Sequence, residues 1–195
     1  MSKILGAFAL ALALALVLAV PGPASATVFT YNAVLDRPNE SPPVDSPGIG
    51  TARVVYDDVA RTLLVDVEFS GLLWPVTVAH IHCCVAVPQE GNIGVATTTP
   101  TFPGFPAGVT EGSYLQVFDL TDAASWNPAF VTNNGGTTDS AELALAAGLA
   151  NRSAYFNIHT TQFPAGEIRG FLVPEPSTAL LLGAGIALLA RRRRT

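Results

Sequence analysis

Alternation of apolar and polar residues runs through the middle of the chain, with the period of two that half-buried β-strands produce. In the segment LLVDVEF the odd positions from 63 to 69 are apolar, while Asp66 and Glu68 would face water. Comparable alternation predicts eight strands, at residues 28–35, 49–56, 63–69, 76–82, 93–97, 114–120, 154–159 and 167–172.

Turn and loop signals separate these segments. Asp57 and Asp58 lie between two alternating runs and predict a hairpin connection. Residues 40–48 contain prolines that donate no backbone hydrogen bonds, so this stretch is expected to be a loop.

One short helix is predicted after the turn-rich sequence NNGG. Asp139 would cap it, Glu142 follows three residues later as in a capping box, and the helix would end near Gly148. Many short strands with Pro/Gly-rich connections and a single helix predict a mainly all-β fold. We expect an antiparallel β-sandwich or immunoglobulin-like barrel, flanked by an N-terminal signal helix and a C-terminal membrane helix.

The N-terminus has the features of an export signal. An apolar run follows Lys3 and ends at a proline-containing break. Ala24 and Ala26 then place small side chains at the alternate positions that a signal peptidase recognises. We expect a signal peptide over residues 1–26, cleaved before Thr27. An uncleaved membrane anchor is the alternative, since the apolar run is barely long enough to span a bilayer.

The C-terminus, residues 173–195, is built in three parts: the motif Pro174-Glu175-Pro176, an apolar segment over residues 177–190, and the cluster Arg191, Arg192, Arg193 and Arg194. Proline favours extended backbone, so the motif should stay extended and accessible. The apolar segment can enter a membrane as a helix, and the arginines would remain cytoplasmic.

This arrangement resembles the PEP-CTERM sorting signal of Gram-negative bacteria. The resemblance implies recognition and cleavage near the motif by an exosortase, in bacteria that commonly make exopolysaccharide. The alternative is a C-terminal anchor that is never cut. The expected location is the periplasm, cell envelope or extracellular matrix, reached through the inner membrane, with signal peptidase and exosortase as processing partners.

Charge is distributed unevenly, although the whole chain has a net charge of −5. Residues 27–173 contain five Arg, no Lys and fourteen Asp or Glu. An acidic, lysine-free region argues against binding of nucleic acid or an anionic membrane surface, because phosphate contacts need cationic side chains. Its length suits one domain, over residues 27–172.

A second resemblance covers that domain. Ordered sequence blocks resemble those of the CHRD domain, which was first recognised in the growth-factor antagonist chordin: AVL at 33–35, ESPPV at 40–44, GTA at 50–52, FSGL at 69–72, AHIH at 79–82, YFNIHT at 155–160, FP at 163–164 and GEIRG at 166–170. The resemblance implies a β-sandwich and brings no reaction with it.

Three histidines are the candidate metal ligands. His80 and His82 alternate on one predicted strand and therefore point to the same face, which Cys84 would share if the strand continued. His159 lies on another predicted strand, and the imidazoles could converge if the two strands are neighbours. Such a site could bind copper or zinc. The alternative is a structural role, in which the histidines are hydrogen-bonded to nearby loops, with Glu167 or Asn157 as partners.

Two further pairs of residues have open interpretations. Cys83 and Cys84 could form a disulfide with each other, an intermolecular bridge, or remain free; an oxidised form suits an exported protein better. Glu167 and Arg169 share a strand face and could form an ion pair. A buried Glu167 would instead hold a neighbouring loop.

No G-x-S-x-G, H-E-x-x-H or phosphate-binding glycine loop occurs in the chain, so no enzymatic activity is predicted. We expect an exported binding or structural module of the envelope or extracellular matrix, with exopolysaccharide or an envelope protein as its partner. The alternative is a small copper or zinc protein, or a metalloenzyme, that uses the three histidines.

Overall fold

The computed structural model describes residues 28–175. Over this range the chain forms one curled antiparallel sheet and short helices, which confirms the mainly β fold. The strands are β1 (Val28–Asp36), β2 (Ile49–Asp57), β3 (Thr62–Ser70), β4 (Val76–His82), β5 (Gly112–Asp119), β6 (Tyr155–Thr160), β7 (Ile168–Phe171) and β8 (Val173–Pro174).

Both ends of the chain lie outside this range. The expected signal helix with Ala24 and Ala26, the motif residue Pro176, the apolar segment 177–190 and the cluster Arg191–Arg194 lie outside the described residues. The expectations attached to them therefore stay predictions.

Seven of the eight predicted strands are confirmed, and the segment 93–97 is not a strand. Val95 and Thr97 each make only an isolated bridge, to His82 and Trp126. Ala96 is nevertheless fully buried, and its amide donates to the carbonyl of Ile81 at 2.9 Å. The segment crosses the end of β4 without a continuous partner strand. Its burial does not alternate, since Ile93 is exposed and the adjacent Ala96 and Thr97 are both buried.

The strand order is β4-β6-β7-β1-β2-β3-β5, and β8 pairs with β1. The two edge strands approach each other because the sheet curls. Val76 on β4 donates its amide hydrogen to Val109 at 2.8 Å and accepts from the amide of Gly108 at 2.9 Å, just before β5. The predicted hairpin also forms: the Asp57 carboxylate accepts from the amides of Val59 and Ala60 in the turn between β2 and β3.

The hydrophobic core fills the concave side of the sheet. Val54 and Val65 from the centre of the sheet and Phe156 from β6 are fully buried there. A helix covers them with Leu145 and Leu149, which are equally inaccessible. Burial of each such side chain stabilises the fold by about 1.5–3 kcal/mol.

Two helices, α1 (Pro128–Asn133) and α2 (Thr138–Ala150), precede β6. The predicted helix is α2, and its predicted cap is wrong. Thr137 is the N-cap: its hydroxyl accepts from the Ser140 amide at 3.1 Å, and the Ser140 hydroxyl accepts from the Thr137 amide at 3.2 Å. No helix within residues 28–175 is long and apolar enough to cross a membrane.

The two acidic residues that the sequence predicts for the helix cap bind an arginine instead. Asp139 and Glu142 bind the guanidinium of Arg61, at 2.6 and 2.7 Å, and the Tyr56 hydroxyl donates to Glu142 at 2.9 Å. These contacts attach α2 to the β2–β3 hairpin.

Candidate metal centre

Two neighbouring strands bring the three histidines together. In the antiparallel pair β4–β6, Val78 lies opposite His159 and His80 lies opposite Asn157. Since side chains alternate along a strand, His80, His82 and His159 all project from the face of the sheet opposite the core.

The three imidazole rings form a compact cluster. The ring centroids are 4.7 Å apart for His80 and His159, 5.1 Å for His80 and His82, and 5.7 Å for His82 and His159. One ring nitrogen from each residue lies within 4.8 Å of those of the other two. All three side chains are buried, with 6–8 % of each residue exposed. Each histidine can therefore direct one nitrogen to a common point.

Backbone carbonyls determine the tautomers of two of the histidines. Nδ1 of His82 lies 2.7 Å from the Ile93 carbonyl, and Nδ1 of His159 lies 3.0 Å from the Pro164 carbonyl. A carbonyl oxygen only accepts hydrogen bonds, so both Nδ1 atoms must carry the hydrogen. The Nε2 lone pairs are left free, and anchoring of one ring nitrogen by a backbone carbonyl is typical of metal-binding histidines.

Three further ring nitrogens, one from each histidine, have no hydrogen-bond partner within residues 28–175. Nε2 of His82, Nε2 of His159 and Nδ1 of His80 are buried without a hydrogen bond. Buried polar atoms are normally satisfied, and each unsatisfied one costs about 1–3 kcal/mol. Three such nitrogens in one cluster fit a metal ion, because coordination would satisfy all of them.

The electrostatic environment keeps the histidines neutral. Burial, together with the neighbouring His159 and His82, lowers the pKa of His80 to about 3. Burial lowers the pKa of His82 to about 4. The hydrogen bond to Ile93 raises this pKa, whereas His159 and Arg169 lower it further. The pKa of His159 is lowered by burial as well. Neutral imidazole is the form that binds metal.

An arginine and a tyrosine form the second layer of the site. The Tyr155 ring stacks on His82 with a centroid distance of 4.7 Å and an interplanar angle of 5°. The guanidinium of Arg169 lies 4.7 Å from the Tyr155 centroid. Its nitrogens donate to the carbonyl of Asn39, and to the carbonyl of Gly91 and side chain of Asn92 at 3.1 and 2.6 Å. Arg169 thus holds two loops over the histidine face.

A buried acid lies beside this layer. Glu40 is 5 % exposed and lies 3.8 Å from Nε of Arg169. Burial raises the pKa of its carboxyl to about 7, although Arg169 and the Ser41 amide act in the opposite direction. Oε1 of Glu40 and Oδ1 of Asn157 are both buried without a partner. A Cβ at Gly166 would lie 2.5 Å from each of these oxygens, so only glycine fits against them.

The structure decides three possibilities that the sequence left open in this region. Cys84 does not share the histidine face, because β4 ends at His82; the structure joins Cys83 and Cys84 in a disulfide that packs against α2. Glu167 forms no ion pair with Arg169. His82 and His159 are hydrogen-bonded to nearby loops, as the structural alternative expects, but the partners are the carbonyls of Ile93 and Pro164 and not Glu167 or Asn157.

Glu167 holds neighbouring loops, the alternative given for a buried side chain. Its carboxylate accepts hydrogen bonds from the Ser46 hydroxyl and Leu73 amide, both at 2.6 Å, and from the Thr160 hydroxyl at 2.7 Å. The sequence pattern did not reveal Glu40 as a buried acid beside Arg169. Its only signal was a place in the block ESPPV, which nothing local connects to Arg169.

The described residues thus define a class: an antiparallel β-domain with a covered triple-histidine cluster, followed directly by the start of a sorting motif. The CHRD domain model matches residues 31–172, and the chain belongs to the CHRD domain family. The PEP-CTERM protein-sorting motif matches residues 172–194. No curated protein and no solved structure matches the chain.

The sorting motif determines the destination. It indicates export across the inner membrane to the cell envelope or extracellular space, and it implies processing by an exosortase and anchoring at the membrane. The histidine cluster therefore belongs to an exported protein.

Proposed function

We propose that this CHRD domain is a metal-binding module of the cell envelope or extracellular matrix. One copper or zinc ion is held by His80, His82 and His159. The observation that carries the proposal is the convergence of three buried, unpartnered ring nitrogens. Imidazole suits both metals, and the described part of the chain places only histidines in this cluster.

The spacing of the nitrogens is compatible with coordination after a small adjustment. Three nitrogens at tetrahedral zinc–histidine distances lie roughly 3.4 Å apart. The separations in the cluster extend to 4.8 Å, so rotations of the imidazoles that move nitrogens by about 1 Å would close the site. A fourth position would remain open for water or another ligand. The covering loops favour storage, transfer or structural use of the ion over catalysis.

Metal analysis tests the proposal directly. The exported protein is stripped with a chelator, equilibrated with copper or zinc, separated from free metal and analysed for bound ion. We expect close to one ion per chain in the wild-type protein and a strong loss in His82→Ala and His159→Ala. Gln116→Ala is the control, since this side chain on β5 is exposed and supplies no ligand. A wild-type protein that retains neither metal would refute the proposal.

A second candidate function is metal-free binding of exopolysaccharide or an envelope protein. It is favoured by a groove of about 770 Å³ on the convex side of the sheet, where polar side chains from β2 and β3 can form hydrogen bonds with a ligand: Thr51, Arg53, Asp66 and Glu68. Hydroxyl-rich polymers are bound through such side chains.

Retention on immobilised exopolysaccharide distinguishes the two candidates. The groove-based function predicts that the chelator-stripped protein is retained as well as the loaded one, and that Arg53→Ala with Glu68→Ala reduces retention. The metal-based function predicts that His82→Ala removes the metal while the groove double variant keeps it. Binding of polymer that is lost in His82→Ala alone would contradict the groove-based candidate.

A further inference from the structure

The first residues of the sorting motif are part of the folded sheet. Val173 and Pro174 form β8, which pairs antiparallel with β1 through Asn32 and Tyr31. The amide of Glu175 donates to the Thr30 carbonyl at 2.9 Å. Residues 173–175 are therefore extended, as the prolines predict, but their backbone is already hydrogen-bonded to the domain.

The acidic side chain of the motif is engaged as well. The side-chain amide of Asn32 donates to Oε1 of Glu175 at 2.5 Å. Both the backbone and the carboxylate of Glu175 thus bind to β1, although the residue itself is exposed.

The position of this contact follows from the layout of the sheet. On the side of β1 that faces β7, the register contains only the pair Asp36 and Arg169. The segment from Thr30 to Asn32 would otherwise be an open edge, whose free amides and carbonyls bind any suitable extended segment. The sorting motif follows β7 directly and occupies that edge.

We propose that the edge of β1 at Thr30–Asn32 is a docking site for the sorting motif and competes with the processing enzyme. An enzyme that cleaves a peptide near Glu175 needs that segment extended and released, so that its own groups can contact the backbone and carboxylate. While β8 is paired with β1, those groups are occupied. Processing of the folded protein is therefore limited by release of β8.

The first test changes the dock and leaves the motif intact. The full-length chain is expressed in a bacterium that contains an exosortase, and conversion of precursor to processed protein is followed by pulse-chase. Asn32→Ala removes the bond to Glu175 and should be processed at least two-fold faster than wild type. Val34→Ala is the matched control, an exposed position on the same face of β1, and should be processed at the wild-type rate.

The second test cross-links β8 to β1, so that the sorting motif cannot leave the docking site. Asn32 and Val173 are directly paired, and paired residues on antiparallel strands lie at Cα distances that a disulfide can bridge. The oxidised double variant Asn32→Cys with Val173→Cys should remain as precursor several-fold longer than either single variant. Equal or slower processing of Asn32→Ala, or a cross-linked protein that is processed as fast as the single variants, would overturn the proposal.

Discussion

The convex face of the sheet differs sharply between its two halves. On the half formed by β4, β6 and β7, polar side chains are covered: Arg169 is 3 % exposed and His80 is 6 % exposed. On the half formed by β2, β3 and β5, apolar side chains are open to solvent, with Leu115 67 % and Val117 52 % exposed. The burial of polar side chains on the first half is the reverse of ordinary partitioning. On this half, side chains are buried because loops cover them, whatever their polarity.

The covered half also contains the unsatisfied polar atoms. Within residues 28–175, the buried side-chain nitrogen and oxygen atoms without a hydrogen bond all lie there: Glu40 Oε1, His80 Nδ1, His82 Nε2, Asn157 Oδ1 and His159 Nε2. Such burial is costly unless a ligand or proton satisfies the atoms. The half formed by β4, β6 and β7 therefore has the features of a functional site, whereas the other half is an ordinary solvent-facing surface.

The largest expected effect comes from removing the arginine that holds the cover. Arg169→Leu breaks the bonds to the two loops and leaves Glu40 buried without its cation. We expect a loss of about 3–5 kcal/mol in the free energy of unfolding, measured with urea. Arg53→Leu, on the exposed half, should change it by no more than about 0.5 kcal/mol. Similar losses in the two variants would show that the halves do not differ in this way.

The buried acid should give the covered half a distinct pH dependence. With a pKa raised from 4.5 to about 7, the folded state binds more protons than the unfolded state between these values. The stabilising contribution of Glu40 is full below pH 4.5 and is lost as pH rises through 7. Glu40→Gln does not titrate, so its stability relative to wild type should rise by about 3 kcal/mol at most between pH 4.5 and 8.

Unfolding of both proteins at several pH values checks this prediction. The histidines, whose pKa values are lowered, destabilise both proteins as pH falls below 6.5, so their contribution cancels in the difference. Thr51→Val, exposed on β2, removes no titrating group; it serves as the control and should show the same small change at every pH. A stability difference for Glu40→Gln that stays constant with pH would contradict the prediction.

A smaller effect should distinguish two glycines with positive φ. Gly166 has φ 131°, and an added Cβ would lie 2.5 Å from Glu40 and Asn157 atoms. Gly136 has φ 80° and open space around its Cβ position. Both alanine variants should lose about 1–2 kcal/mol from backbone conformation. Gly166→Ala should lose about 1–2 kcal/mol more because of overpacking. Urea unfolding of both variants measures the difference, and equal losses would indicate that the covered site is loosely packed.

Sequence periodicity predicted the local features of this fold well. The alternation around His80 and His82 correctly gives one strand with both imidazoles on the same face. The same reasoning places Cys84 on this face only if the strand continues. Because β4 ends at His82, alternation no longer applies, and Cys84 lies against α2. Thr137 and Asp139 both begin a plausible cap, and only the observed hydrogen bonds distinguish them.

Contacts between distant segments could not be predicted from local pattern. Arg169 has Glu167 two residues away on the same nominal face, yet its acidic neighbour in the fold is Glu40. The loop carbonyls of Ile93 and Pro164 that orient His82 and His159 carry no side-chain signal at all. Pairing of Glu175 with β1 likewise depends on which edge the sheet leaves open.

The sequence by itself determined seven of the strands, the position of His80 and His82 on one face of a strand, the acidic character of the domain and its sorting signal. These properties depend on the local period of the backbone and on the composition of short segments. The tertiary structure alone decided that His159 joins the cluster, that two loops cover it and that Glu40 stays buried beside Arg169. Those outcomes depend on strand register and loop closure, which sum many weak long-range contacts that no short stretch of the chain encodes.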